Sequence, residues 1–217
     1  MIVSPGRSFV FVHMPKTGGT ALSLAIEARA RPDDILIGDT PKARRRHKRI
    51  AGLPARGRLW KHSTLADLDG WLSPGDLDRM FVFTLVRNPW DRLLSLYAWS
   101  RAQRFDHPVV HLAKSDSFAG FLRDPDLQAR ILAAPSSAYV ADAGGRERCD
   151  AFVRLERIED DIAPVERHLG FALVPLPVAN RSDRPRDWRP AYDPEDAAIV
   201  ARLCAPDIAR FGYRFDP

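Results

Sequence analysis

Ser8-Phe9-Val10-Phe11-Val12-His13-Met14-Pro15-Lys16-Thr17-Gly18-Gly19-Thr20 is the stretch whose reading decides the fold. Its first part, Ser8–His13, is a run of β-branched and aromatic residues with little polar alternation, as in a strand buried on both faces. A loop containing Pro15, Gly18 and Gly19 follows, and from Thr20 the residues Leu22, Ala25, Ile26 and Arg29 take helical spacing. The strand–loop–helix unit recurs. Met80–Val86 (MFVFTLV) reads as a second buried strand, Asn88 can cap a helix, Pro89 suits its first turn, and Trp90, Leu94, Tyr97 and Ala98 form an apolar face. A third strand is expected at Ala151–Leu155, with a helix over Glu159–Leu169 through Ile162 and Val165.

Apolar strands separated by helices predict an α/β fold, a three-layer parallel β-sheet flanked by helices. Such sheets bind ligands at the carboxyl ends of their strands, where the loops Met14–Gly19 and Arg87–Pro89 should lie. A helix is also expected after residues 61–64, through Leu65, Leu68, Trp71 and Leu72, and a last one capped by Asp193 and opened by Pro194. Residues 40–58 and 103–150 read as less regular, as lids or acceptor-binding loops. With no internal repeat and no linker, residues 1–217 are expected to form a single domain.

Composition excludes several classes. A chain of 217 residues with 45% hydrophobic and 28% charged residues is neither disordered, collagenous nor coiled-coil. Two cysteines, Cys149 and Cys204, are too few for a disulfide framework or a Cys-rich zinc site, and no motif calls for a metal. No apolar run approaches the roughly 20 residues that cross a bilayer, and the first residues lack the order of a signal peptide, so a cytoplasmic protein without a transmembrane segment is expected. Arginine outnumbers lysine 28 to 5, a bias suited to a GC-rich bacterial genome. Lysine retained in such a chain marks places where a compact, titratable ammonium is wanted.

Taken alone, the first loop has two readings. A helix N-terminus with Gly18, Gly19 and Lys16 beside it would hold a phosphate, and it would equally serve as a tight turn with a solvated lysine. It is not a Walker A sequence, because Lys16 precedes the glycines. The second loop, Arg87-Asn88-Pro89-Trp90-Asp91-Arg92-Leu93-Leu94-Ser95, again follows a buried strand; alone it reads as a helix start with an Arg–Asp pair, and its arginine and hydroxyl could meet a second phosphate. Two such loops on neighbouring strand ends shift the balance toward phosphate binding. The densest positive charge is at residues 42–49; such a run is usually solvated, and near an active site it would attract an anionic acceptor. No nucleic-acid motif accompanies it, so no specific nucleic acid is expected as a partner.

Together FVFVHMPKTGGT and FTLVRNPWDRLLSLY resemble the paired nucleotide-binding signatures of sulfotransferases that use 3′-phosphoadenosine 5′-phosphosulfate, in particular the carbohydrate-type, family 2-like branch with bacterial members. Residues 61–64 (KHST), 152–156 (FVRLE), 180–182 (NRS) and 207–213 (DIARFGY) resemble further landmarks of that family, in order. The resemblance implies a P-loop-NTPase-like sulfotransferase fold and transfer of a sulfuryl group to an acceptor hydroxyl, on a carbohydrate in that branch.

It also implies roles. Lys16, Thr17, Gly18, Gly19 and Thr20 would surround the 5′-phosphosulfate, with Lys16 catalytic at the leaving oxygen. Arg87 and Ser95 would bind the 3′-phosphate, and Arg181 would reach the nucleotide or the acceptor. His62 resembles in position the catalytic base of the 2-O-sulfating carbohydrate enzymes; His13, which ends the first strand just before the loop, is a second choice on its position, and a role supporting the donor loop suits it equally. Rival readings are a nucleotide-dependent kinase, which would want a Walker A order, and a nucleotide-binding protein of the same fold without turnover.

Overall fold

The computed structural model describes residues 1–179 and 184–216. Its strands are β1 (Ile2–Ser4), β2 (Phe9–Val12), β3 (Ile35–Leu36), β4 (Phe81–Val86) and β5 (Ala151–Arg154). Its helices are α1 (Gly19–Ala28), α2 (Pro41–Arg46), α3 (Pro74–Leu77), α4 (Pro89–Arg101), α5 (Pro108–Ser115), α6 (Phe118–Arg123), α7 (Pro125–Leu132), α8 (Ser136–Val140), α9 (Ile158–Asp161), α10 (Ala163–Leu169), α11 (Pro194–Leu203) and α12 (Ala205–Phe211). Contacts cluster into two compact units, Met1–Val86 with Ser136–Asn180, and Arg87–Pro135 with Arg181–Pro217.

The first unit holds a five-stranded sheet of order β3-β1-β2-β4-β5. As the apolar runs predict, β2, β4 and β5 are parallel, with Phe9 opposite Phe81 and Phe83 opposite Ala151. The sheet as a whole is mixed, because β1 runs antiparallel to both β2 and β3. β1 and β3 are only three and two residues long, too short to show a pattern in the sequence.

The continuous apolar character of β2 has a direct cause: all four residues are buried, and successive side chains enter different cores. Phe9 and Phe11 join Phe83, Leu85 and Val153 under Leu22 and Ile26 of α1 and Val165 and Leu169 of α10. Val10 and Val12 join Val82 on the other face, against Leu65, Leu68, Leu77 and Val140. The three layers follow from those two covered faces.

Three expectations change in detail. The helix predicted over Glu159–Leu169 is interrupted at Ile162, because Pro164 in the second position of α10 lacks the N–H that a continuous helix would need. After His62 there is only a 3₁₀ turn, Ala66–Leu68, held by the Thr64 N–H donating to the Asp67 carboxylate (2.7 Å) and followed by Gly70 at φ +85°. Residues 103–150 are largely helical, α5 to α8. Each of these helices spans about two turns or fewer, leaving a 3.6-residue period no room to declare itself, although His107, Ser117 and Asp124 cap three of them.

The basic run also gains a structural role. Lys42 donates to the Glu27 carbonyl, Arg46 to that of Arg31 (2.7 Å) and Arg49 to that of Pro32, so these cations close off the carboxyl end of α1 and the turn after it. Arg44, Arg45 and Lys48 remain exposed.

The second unit is helical. Trp90, Leu93 and Tyr97 of α4 pack with Phe121 of α6, Leu127 of α7, Val200 and Leu203 of α11, and Trp188. Trp90 stacks parallel to Trp188 at 6.2 Å and donates its indole N–H to the Ala197 carbonyl (3.0 Å). Asp193 caps α11 by accepting from the Asp196 N–H (2.7 Å), as its sequence position predicts. Among the described residues no helix is long and apolar enough to cross a membrane.

Phe83 is fully buried and lies 5.3 Å from Phe11 and 5.8 Å from Phe9. Phe83→Ala should therefore cost about 3–5 kcal/mol of unfolding free energy, and Asp193→Ala only about 1 kcal/mol. Urea unfolding of the two variants checks the contrast.

Candidate functional site

In the first unit the chain leaves β2 at His13 and enters α1 at Gly19 within one tight loop. Lys16 has φ +66° and Gly18 φ +85°, both left-handed. For a lysine that conformation is strained by about 1–2 kcal/mol, of the kind that clusters at ligand-holding loops. Thr17 is fully buried and donates its hydroxyl to the Met14 carbonyl (3.0 Å), which closes the loop from inside. The glycines answer a packing need as well. A Cβ on Gly18 would fall 2.8 Å from Leu155 Cδ1, and one on Gly19 would fall 2.1 Å from His13 Cδ2. Helix α1 can start this close to the strands only without those side chains.

His62 meets this loop through His13. Its Nδ1 lies 2.8 Å from the His13 carbonyl oxygen. A carbonyl only accepts, so Nδ1 carries the proton and Nε2 keeps the lone pair, the tautomer a general base requires. The His13 ring meets the His62 ring edge-on at 4.8 Å, and Trp60 does so from another side at 5.0 Å. Ser63 fixes the turn that presents His62: its hydroxyl accepts from the Trp60 N–H (2.8 Å) and lies 2.9 Å from the Arg58 carbonyl.

Burial pushes the His62 pKa down to about 4, against the pull of the His13 carbonyl, and the adjacent Lys61 ammonium adds to the fall. Burial likewise holds His13 well below the ordinary histidine range. Both rings are neutral at pH 7. Lys61 itself pairs with Asp39 at 2.7 Å.

In the second unit, Asn88 caps α4 by accepting from the Trp90 N–H (3.1 Å). Arg87 binds Asp91 Oδ2 through Nε (2.8 Å) and a terminal nitrogen (2.6 Å). Arg87, Asp91 and Ser95 recur at four-residue intervals, the spacing that places Asp91 and Ser95 on one face of α4. Ser95 is 4% exposed. Arg184 reaches the other oxygen of Asp91.

A protein-family model described as "Sulfotransferase family" matches residues 1–213. The chain belongs to the sulfotransferase family. Among solved structures, the mouse sulfotransferase SULT7A1 complexed with PAP is similar to this sulfotransferase in fold, with a TM-score of 0.50 and 15% identity over 93% of this chain and 84% of that one. No curated protein matches the sequence.

The residues anticipated from the sulfotransferase signatures fall as follows. Lys16, Thr17, Gly18, Gly19 and Thr20 form the loop and first turn of α1, and His62 is tied to that loop's first residue. Arg87 and Ser95 flank Asp91 in the second unit. Arg181 lies outside the described residues. Sequence reasoning missed three features: the His13 carbonyl as the group that sets the His62 tautomer, Trp60 beside His62, and Arg184 on Asp91. An aromatic next to K-H-S-T was a visible signal for Trp60; Arg184 was one arginine among many in a segment rich in Pro, Arg and Asp.

The buried neutral His62 has a consequence for stability. Its folded pKa lies below the unfolded value of 6.5, so the unfolded chain binds the proton first, and stability falls as pH drops from about 6.5 toward 4. His62→Asn, which retains a donor for the His13 carbonyl, should flatten part of that fall in a melting-temperature series over this range. An unchanged slope would contradict the assignment.

Proposed function

We propose that this chain, as one sulfotransferase domain over residues 1–217, transfers a sulfuryl group from 3′-phosphoadenosine 5′-phosphosulfate to an acceptor hydroxyl on a carbohydrate. The observation that carries the reading is the hydrogen bond from His62 Nδ1 to the His13 carbonyl, which ties a base of the correct tautomer to the loop expected to hold the donor. The fit to the nucleotide is chemical. The Lys16 loop offers a cation and a ten-residue helix whose first N–H groups have no intrahelical partner, and Arg87 with Ser95 offers a guanidinium and a hydroxyl for the 3′-phosphate.

The donor supplies the activated sulfuryl group; the protein's part is alignment, charge stabilisation and proton removal. Thr17, Gly18, Gly19 and Thr20 bind the 5′ end through the loop backbone. Lys16 stabilises the charge that collects on the oxygen bridging sulfur and phosphorus as that bond breaks. His62 Nε2 accepts the acceptor's hydroxyl proton as its oxygen bonds to sulfur. The products are a sulfate ester and adenosine 3′,5′-bisphosphate.

A base with a pKa of about 4 is weak for work at neutral pH. Anionic nucleotide bound nearby favours the protonated imidazole and raises that value. Trp60 supports the carbohydrate reading: the residue is 44% exposed and its ring stands 5.0 Å from that of His62, an amphipathic surface on which the apolar face of a sugar ring packs.

Adenosine 3′,5′-bisphosphate at millimolar concentration should raise the melting temperature, and absence of any shift counts against the donor assignment. Nuclear magnetic resonance titration of His62 should show its pKa rising when that nucleotide is added. With labelled donor and a panel of acceptor sugars, Lys16→Ala should lower turnover by about 10²- to 10³-fold or more, and His62→Ala by about 10²- to 10⁴-fold with nucleotide affinity nearly intact. Nucleotide binding without transfer to any acceptor would favour a binding protein of this fold.

A further inference from the structure

Lys61, the residue before His62, is fastened at both ends. Its ammonium pairs with the Asp39 carboxylate at 2.7 Å, and its carbonyl accepts from the Met1 nitrogen at 3.0 Å. Met1 also donates to the Ile37 carbonyl (2.9 Å), so both anchors come from residues bordering β1 and β3. His62 itself is held by the His13 carbonyl at the end of β2. Two adjacent residues of one turn are thus tied to different strands, which fixes the peptide that presents the imidazole.

Stability does not account for the ion pair. The Lys61 and Asp39 side chains are 28% and 49% exposed, and a pair so open to water contributes little to folding. Its setting does account for it, since the neighbouring imidazole is one that has to take up a proton. Other charged and titratable groups around that ring are the neutral His13 at 4.8 Å, the Met1 amino group, which burial brings down to about 5, and Arg58, whose guanidinium lies 5.6 Å over Trp60. The Lys61 ammonium opposes a proton on His62, and the Asp39 carboxylate favours one. Against the cost of partial burial, the hydrogen bond and charge of Lys61 hold the Asp39 carboxyl below its ordinary range, so it is ionised at neutral pH.

We propose that Lys61 and Asp39 are positioning residues for His62: the clamped Lys61 main chain holds the ring on the His13 carbonyl, and the paired charges balance one another beside the imidazole. The assignment rests on the reading of His62 as the base, and it gives the antiparallel strands β1 and β3 a part in the reaction, as carriers of the anchors. Removing either charge alone unbalances the site. Without Lys61 the remaining carboxylate draws the proton to His62, and without Asp39 the remaining ammonium repels it.

The test follows two quantities on the full-length protein: the His62 pKa by nuclear magnetic resonance, and the acid limb of turnover against pH with labelled donor and an acceptor sugar from the panel above. Lys61→Met should move both upward by about half a pH unit or more, and Asp39→Asn should move both downward. The double variant should return close to the wild-type position, because the two charges act on one ring with opposite sign. Lys61→Arg keeps the charge and should stay near wild type. Asp39→Asn carries the test by itself if the methionine variant does not fold. Values that stay in place in the charge-removing single variants, or move in the same direction in both, overturn the role of the pair while the reading of His62 as base stands; so does a shift in Lys61→Arg as large as that in Lys61→Met. Opposite pKa shifts with an unmoved acid limb overturn the reading of His62 as base, and with it the part of the pair in the reaction.

Discussion

The parallel pairing of β2 with β4 is the constraint from which the rest of the first unit follows. Both strands are too apolar to face water on either side, so each needs a cover on both faces, and a parallel connection needs a long crossover. The crossover supplies the cover: α1 lies over the phenylalanine face, and the segment from Leu65 to Leu77 lies over the valine face. Inside the ladder the Thr84 hydroxyl, fully buried, donates to the Val12 carbonyl at 2.8 Å, so the one polar side chain in this stretch of β4 is satisfied within the sheet. Parallel register then brings the carboxyl ends of β2 and β4 to the same edge, where His13 leaves the sheet.

His13 joins packing to chemistry at that edge. Its ring occupies the space above Gly19, so the start of α1 and the histidine are placed by each other. Its carbonyl sets the tautomer of His62. His13, a second candidate base because it ends the first strand just before the loop, touches its neighbours through its backbone and its bulk, and its own ring is too deeply buried to charge easily. In the second unit Asp91 is the comparable centre, one carboxylate that organises two arginines.

Charge, too, divides into structural and available parts. The run at residues 42–49 contributes Lys42, Arg46 and Arg49 to backbone carbonyls at and beyond the end of α1, which leaves a smaller exposed set than the sequence suggests. Arg123 does similar work in the helical unit, bridging Asp193, Glu195 and Asp196 at the start of α11. The formal excess of five positive charges is therefore a poor guide to partners until the arginines engaged in holding the fold are set aside.

The three strand–loop–helix units, the caps at Asn88 and Asp193, and the first loop with its glycines were legible in the sequence, because a buried strand, a helix cap and a close backbone approach each demand particular residue types within a few positions. The family was legible for the same reason, as its signatures lie in those loops. The short strands β1 and β3, the helices between 108 and 140 and the break at Ile162 were not, since elements of two to eight residues carry too little periodicity to be told from loop. Nor could the sequence say that His62 sits against His13, 49 residues away, or that Arg184 shares Asp91 with Arg87. Those contacts depend on long-range packing of particular side chains, and only the tertiary structure decides which of 28 arginines and six histidines are brought to a site.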